Sequence, residues 1–341
     1  MSIILEYSFF ILFLILLNFI MIKKGIFLDM PVSNTHKNKI FFSKKVPKSL
    51  GFILMIFIFY KLNLQIYEKI LIFLIFFLGI QSDINKLSSP KLRIIIQFLI
   101  VLFFLLVSKE YINSTRIPFI DNFLNNEIFK ILLTLLCIII VINGSNFIDG
   151  LNTFCLGYYL GLFICLNLLL LNNYDFVYLK NEIFYLILLI FILYLFNLFG
   201  LSFLGDSGSY LLGFVASIFL LKYHNLSPQV SPWFIANLLW YPSFEILFSI
   251  IRRFRKEYDP LLPDNYHLHQ IIFLFIQKKL KYKNNLLNPL TANLINIYNY
   301  FVFFFSSIYF SNTKALISIF LFSCFIYIMA YLLFLSRLKK K

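Results

Sequence analysis

Four aspartates, Asp83, Asp149, Asp206 and Asp264, stand beside long apolar runs, each inside a short polar cluster. The clusters read GIQSDINKLSSPKLR at 79–93, NGSNFIDGLN at 143–152, FLGDSGS at 203–209 and RRFRKEYDPLLPDNYHLHQ at 252–270, and a fifth, DMPVSNTHK, lies at 29–37. An acidic side chain next to so much hydrocarbon is costly, and it faces a cavity or a partner. Oxygen ligands without thiolates suit a hard cation such as Mg²⁺, which takes one or two carboxylates and completes its shell with water and substrate phosphate. Phosphate-compatible donors fill the same clusters: Lys86, Lys91, Arg93, Asn146, Ser207, Ser209, Arg252, Arg253, His267 and His269. Gly205 and Gly208 let backbone N–H groups approach an anion, and a helix beginning there favours negative charge. Each motif alone also has a structural reading. The Gly-Asp-Ser-Gly turn and the asparagines serve equally as helix caps, HLHQ as a surface pair, and RRFRK and KKLKYK as headgroup anchors. Their joint occurrence points to divalent-cation chemistry on a phosphorylated substrate.

The elements that must position these residues are helices in lipid. Of the 341 residues, 61% are hydrophobic, an excess that a soluble core does not need. Spans are expected near 3–22, 50–60, 69–81, 92–107, 128–142, 156–172, 183–200, 210–222, 233–251, 295–310 and 315–335. The fold class is therefore an all-α polytopic bundle of about ten or eleven transmembrane helices, since the segments at 50–60, 69–81 and 210–222 are short. One domain over 1–341 is expected, with loops at 23–49, 82–91, 143–155, 201–209 and 252–294. The first apolar run has no basic residue before it and Lys23 and Lys24 after it, which fits a retained span rather than a cleaved leader. Cys137, Cys155, Cys165 and Cys324 form no C-x-x-C pair and fit small buried hydrophobes.

A net charge of +15 raises the question of nucleic acid, but its distribution answers otherwise. Those loops and the tail at 336–341, with Arg93 at its span mouth, hold 22 of the 30 Lys and Arg. Such asymmetry predicts that this face is cytoplasmic and the N-terminus outside. The basic charge orients the protein and attracts anionic lipids, and no nucleic acid is required. All five polar clusters fall on the same face, although their acids, amides and histidines played no part in drawing it.

The order and wording of these motifs resemble the polyprenyl-phosphate N-acetylhexosamine-1-phosphate transferases. That family includes the peptidoglycan lipid I synthase and the enzymes that begin O-antigen and teichoic-acid linkage synthesis. The resemblance runs from about residue 29 to 270. FLGDSGSYLLGF at 203–214 is close to the family's F-L-G-D-x-G-S-x-x-L-G-F, NFIDGLN at 146–152 to N-F-x-D-G-x-D/N-G, and PDNYHLHQ at 263–270 to P-D-x-x-H-x-H-H. SDINKLSSPKLRIIIQ at 82–97 is similar to D-D-x-x-x-L-S-x-K-x-R-x-x-x-Q, with Ser82 in place of the first acid. Asp29, Pro31 and His36 resemble D-x-P-x-x-R-x-x-H with one residue fewer, VPKSLGF at 46–52 echoes P-x-x-G-G, and Glu245 stands where an Asp is usual. Asn152 and Gln270 replace Asp and His of many members and suggest the branch serving O-antigen-type surface polysaccharides.

The resemblance implies transfer of an N-acetylhexosamine-1-phosphate, GlcNAc or a 6-deoxy relative, from a UDP-sugar to polyprenyl phosphate, with release of UMP. It places the active site at the cytoplasmic face of a bacterial inner membrane. Asp83, Asp149, Asp206 and His267 are the expected catalytic residues, with Asp206 and Asp149 holding Mg²⁺, or Mn²⁺ in its stead. Lys86, Lys91, Arg93, Asn146, Asn152, Gly205, Ser207, His269, Arg253 and His36 are expected to bind substrate. The implied partners are the UDP-N-acetylhexosamine, the polyprenyl phosphate and membrane lipids, and a homodimer is compatible with the sequence. Two other classes stand as alternatives: a transporter or lipid flippase, and a catalytically weak homologue that scaffolds polysaccharide assembly.

Overall fold

Backbone N–H and C=O groups in hydrocarbon find no water, so an apolar run must satisfy them within itself, as a helix does. In the computed structural model of this chain, which describes residues 2–29, 45–170, 177–255, 266–280 and 284–339, the described part of each expected span falls largely on helix. In chain order these are α1 (Ser2–Lys24), α2 (Leu50–Lys61), α3 (Ile66–Asp83), α4 (Pro90–Ser108), α5 (Pro118–Leu124), α6 (Glu127–Ile148) and α7 (Phe154–Leu170). They continue with α8 (Val177–Leu198), α9 (Gly205–Leu226), α10 (Pro232–Leu238), α11 (Trp240–Phe254), α12 (Leu268–Leu280), α13 (Asn284–Ile308) and α14 (Thr313–Lys339). The chain is an all-α, multi-pass membrane protein. His36, Pro31 and Asp264 lie outside the described residues.

Length and apolarity alone qualify five described helices to cross a membrane: Ile4–Lys24, Pro90–Ser108, Glu127–Ile148, Leu179–Leu198 and Thr313–Leu338. A sixth follows if the bent pair α10 and α11 is one span. The remaining expected spans are helical but shorter or more polar. Their apolar side chains reach outward along α1, α4 and α14, as at Phe9, Phe103 and Phe325, which suits hydrocarbon rather than water.

The expected continuous helix over 233–251 is instead broken, with a 74° bend between α10 and α11. Pro242 explains the break. Its ring lacks an N–H and would clash with the carbonyl four residues earlier, at Leu238. That freed carbonyl accepts a hydrogen bond from Tyr158 Oη at 2.8 Å instead. Two further helices, α5 and α12, were not expected from the apolar runs.

At the centre stands α9, buried without interruption from Ser207 to Leu221 and packed against α2, α3 and α6. A helix that is apolar all round belongs inside. The approach of α3 is close enough that a side chain at Gly79 would strike the backbone of Ser207. A two-residue antiparallel pair, β1 (Leu28–Asp29) and β2 (Val46–Pro47), closes the same end, with Leu28 opposite Pro47 and Asp29 opposite Val46. Phe203 donates its N–H to the Pro47 carbonyl at 2.8 Å, which brings Lys48 to the foot of α9.

Candidate active site

The start of α9 is where three of the polar clusters, 79–93, 143–152 and 203–209, meet. Asp206 lies in its first turn, and its two carboxylate oxygens have different partners. Oδ1 accepts from Asn146 Nδ2 at 2.7 Å, from the last turn of α6. Oδ2 accepts from Ser82 Oγ at 2.5 Å and from Arg93 Nη1 at 3.4 Å. Arg93, in the first turn of α4, also donates to Ser82 Oγ at 2.5 Å, so the serine hydroxyl relays the guanidinium to the carboxylate. Asn146 reaches Ser209 Oγ as well, at 3.2 Å. The Asp206 side chain remains 30% exposed, enough to meet a ligand.

Asp83 does something different. The residue at the N-cap position of α9, Leu204, has no side chain able to cap. Asp83 supplies the cap from α3: Oδ1 accepts the Asp206 N–H at 3.1 Å and Oδ2 the Ser207 N–H at 3.0 Å. Lys48 Nζ adds an ion pair to Oδ1 at 3.1 Å, and the Asp83 side chain is only 2% exposed. Gly205 makes this approach feasible. Its φ of +72° is the left-handed conformation, and a Cβ there would sit 2.8 Å from Asp83 Oδ2. Burial pushes the Asp83 carboxyl up; Lys48 opposes this and the Asp206 charge adds to it. Burial alone would lower the Lys48 ammonium, yet Asp83, Asp29 and Asp206 outweigh it and hold it above its usual value.

Asp149 follows the last residue of α6, one turn from Asn146, and is half-buried. Its carboxylate takes no hydrogen bond or ion pair from the described residues. Burial pushes it well above the usual range, and the Asp206 and Asp83 charges push it further.

The histidine pair packs on the same end of α6. The His267 ring lies 4.9 Å from that of Phe147, and His269 Nε2 is only 2.5 Å from where a Cβ at Gly150 would stand. The two imidazoles stack at 5.6 Å with an interplanar angle of 6°. His269 is fully buried, and both ring nitrogens are unpartnered among the described residues. Burial lowers its pKa from 6.5 to about 3, with Glu245 opposing and His267 assisting, so it is neutral at physiological pH.

That shift has a measurable consequence. Below pH 6.5 the unfolded chain takes up a proton that the folded ring refuses. The contribution of His269 to stability is thus complete above its unfolded pKa and falls by about 1.4 kcal/mol per pH unit on acidification. The loss runs from pH 6.5 down to about 3. In thermal melts of the detergent-solubilised protein, His269→Gln should show a shallower acid-side decline than wild type. Parallel curves would rule this out.

The other expected residues divide. Lys86 and Lys91 are exposed and make no contact with Asp206 among the described bonds. Ser207 is fully buried; its Oγ lies toward Gly51 of α2, and its backbone N–H bonds Asp83 Oδ2 at 3.0 Å. Asn152 is buried, its N–H bonded to Asn288 Oδ1 of α13 at 2.7 Å. Arg253 is buried on α11. Residues not singled out from sequence also enter. Lys48 was legible only as part of the VPKSLGF echo. Ser82 stood out as a departure, with no hint that it would touch Asp206. Tyr210, whose hydroxyl lies 3.4 Å from Arg93 Nη1, sat inside a quoted motif.

Residues 66–224 match the family model described as glycosyl transferase family 4. The chain is 29% identical over 206 residues to the undecaprenyl-phosphate alpha-N-acetylglucosaminyl 1-phosphate transferase of Salmonella typhi, covering 58% of this chain and 54% of that protein. The proteins of the same name from Yersinia pestis and Escherichia coli K12 are each 29% identical, over 58% of this chain and 56% and 54% of their own lengths. The chain thus spans about half the length of the curated relatives it matches. The matched stretch, residues 66–224, is the one that supplies Asp83, Arg93, Asn146, Asp149 and Asp206.

Proposed function

We propose that this protein transfers an N-acetylhexosamine-1-phosphate from a UDP-sugar to a polyprenyl phosphate at the cytoplasmic face of the inner membrane, releasing UMP. The observation that carries the reading is the convergence on the first turn of α9. Asp206 there is held by Asn146, Ser82 and Arg93, while Asp149, one turn from Asn146, takes no hydrogen bond or ion pair from the described residues. The relatives' names supply the substrate class, and the surface-polysaccharide role and GlcNAc as the sugar belong to the same proposal.

A phosphomonoester has a second pKa near ~6, so the lipid phosphate is largely dianionic at neutral pH and already nucleophilic. One of its oxygens attacks the β-phosphorus of the UDP-sugar, a new P–O bond forms in line, and the bond to the bridging oxygen breaks to release UMP. No base is required. The barrier lies in bringing two polyanions together and stabilising the charge that shifts between them. Arg93 and Lys48 supply positive charge at the foot of α9, and His267 offers a ring nitrogen from the α6 side. Asp83, with both oxygens taken by N–H groups and Lys48, serves this chemistry by holding the turn that carries Asp206.

A hard cation suits the donor set. The acids are all oxygen ligands, Asp149 is unpaired among the described residues, and negative charge from Asp206 and Asp83 acts on it. No group of three or more His, Cys, Asp or Glu able to hold a metal gathers among the described residues. Mg²⁺ does not need one, since it completes its shell from water and substrate phosphate. Asp206 and Asp149 would hold Mg²⁺ or Mn²⁺, and when bound the ion supplies Lewis-acid stabilisation of the diphosphate.

Purified protein incubated with undecaprenyl phosphate and a panel of UDP-N-acetyl sugars tests the reading. UMP release is expected with at least one sugar, lost with EDTA and restored by Mg²⁺. Silence across the panel would favour a transporter or a scaffold instead.

A further inference from the structure

The one carboxylate deep in the bent α10–α11 segment, Glu245, is fully buried and lies outside the cluster around Asp206. A lone charge there would be expensive, so its partners matter. Both oxygens are occupied. Oε1 lies 2.9 Å from His267 Nδ1, and Oε2 accepts from Tyr327 Oη of α14 at 2.8 Å. Ser249 Oγ, one turn further along α11, lies 3.3 Å from the same His267 nitrogen. His267 is itself 6% exposed, flanked by Phe147 and stacked on His269. Its Nε2 has no partner among the described residues.

We propose that Glu245 is a positioning residue: it holds His267 in the Nδ1–H tautomer and fixes its ring, leaving the Nε2 lone pair to accept from a hydroxyl or N–H of the substrate. The inference rests on the phosphotransfer reading for its catalytic meaning, while the pairing itself stands on geometry. A carboxylate acts on the far nitrogen of an imidazole by setting which nitrogen carries the proton and by anchoring the plane of the ring. Tyr327 does for Glu245 what Glu245 does for His267, so the C-terminal helix contributes to the site without touching substrate. Phe147 ties the arrangement to α6, adjacent to Asn146, which holds Asp206. The arrangement also accounts for a buried acid that a transport pathway would otherwise be invoked to explain.

Two readouts test the proposal, one independent of turnover. The chain has only four histidines, so long-range ¹H–¹⁵N spectra of the labelled protein in detergent can be assigned with His267→Gln. Wild-type His267 should show the Nδ1–H pattern, and Glu245→Met, which removes both acceptor oxygens at similar size, should lose it. In UMP-release kinetics Glu245→Met should lower kcat by about 10–100-fold, the range usual for orienting partners, with KM for the UDP-sugar nearly unchanged. Glu245→Asp should recover most of that loss. Adding Glu245→Met to His267→Gln should cost almost nothing further. If Glu245→Met does not fold, Glu245→Gln takes its place in the kinetic comparison, and the wild-type spectrum still decides the pairing. An Nε2–H pattern in wild type, or a full additional loss in the His267→Gln background, would overturn the proposal. A wild type with the Nδ1–H pattern but no UMP release would overturn the phosphotransfer reading and leave the pairing intact.

Discussion

Asp206→Asn is expected to abolish UMP release while leaving a folded protein, with kcat/KM reduced by about 10³-fold, the scale seen when one preorganised charge-stabilising group is removed. The substitution keeps the shape of the side chain and the hydrogen bond to the Asn146 amide, but removes the negative charge. That charge is what a divalent cation would bind and what holds the Arg93–Ser82 relay in place. The folding cost should be small. Asp206 and Arg93 are 30% and 22% exposed, and a solvent-screened pair at 3.4 Å contributes little. A thermal melt close to wild type together with lost turnover is the expected pairing of results. Turnover within tenfold of wild type would remove Asp206 from the reaction.

The largest stability effects should come from the two residues that build the turn beneath Asp206. Asp83→Ala leaves the Asp206 and Ser207 N–H groups without an acceptor and strands Lys48 in a mostly buried position. Breaking a buried ion pair by removing one partner costs about 3–5 kcal/mol, and loss of a cap adds about 1 more. Asp83→Asn keeps one acceptor oxygen and should fall between Ala and wild type. Gly205→Ala attacks the same contact from the other side, forcing a Cβ against Asp83 Oδ2 at a residue whose φ is +72°. It should be at least as damaging as Asp83→Asn. Denaturation in detergent would order the three variants. Equal stability of Asp83→Ala and Asp83→Asn would show that capping is not what Asp83 contributes, and would return it to the chemistry.

The site was half legible before any coordinates. FLGDSGS and NFIDG singled out Asp206, Asn146 and Asp149 as polar residues in short turns between apolar runs, and the structure joins Asp206 to Asn146. Lys48 was hidden, because a lysine after a proline next to an apolar run looks like any other interfacial cation. The role of Ser82 was hidden for a related reason. A serine where an acid is expected reads as a loss, whereas here its hydroxyl carries the Arg93 guanidinium to Asp206. Asp83 shows the converse: its motif marked it as an expected catalytic residue, and its geometry is that of a cap reaching across from another helix.

Most helix positions and the membrane class were determined by the sequence itself, since hydrocarbon forbids an unpaired backbone and a run of Leu, Ile and Phe leaves helix as the solution. The bend at Leu238–Trp240, the cap from Asp83 and the Glu245–His267–Tyr327 chain were decided only by tertiary structure. These depend on which helix faces which, with partners as far apart as 124 residues for Ser207 and Asp83. No local periodicity records such a meeting. It arises when burial leaves a polar group one available partner, and only the packed bundle shows which one that is.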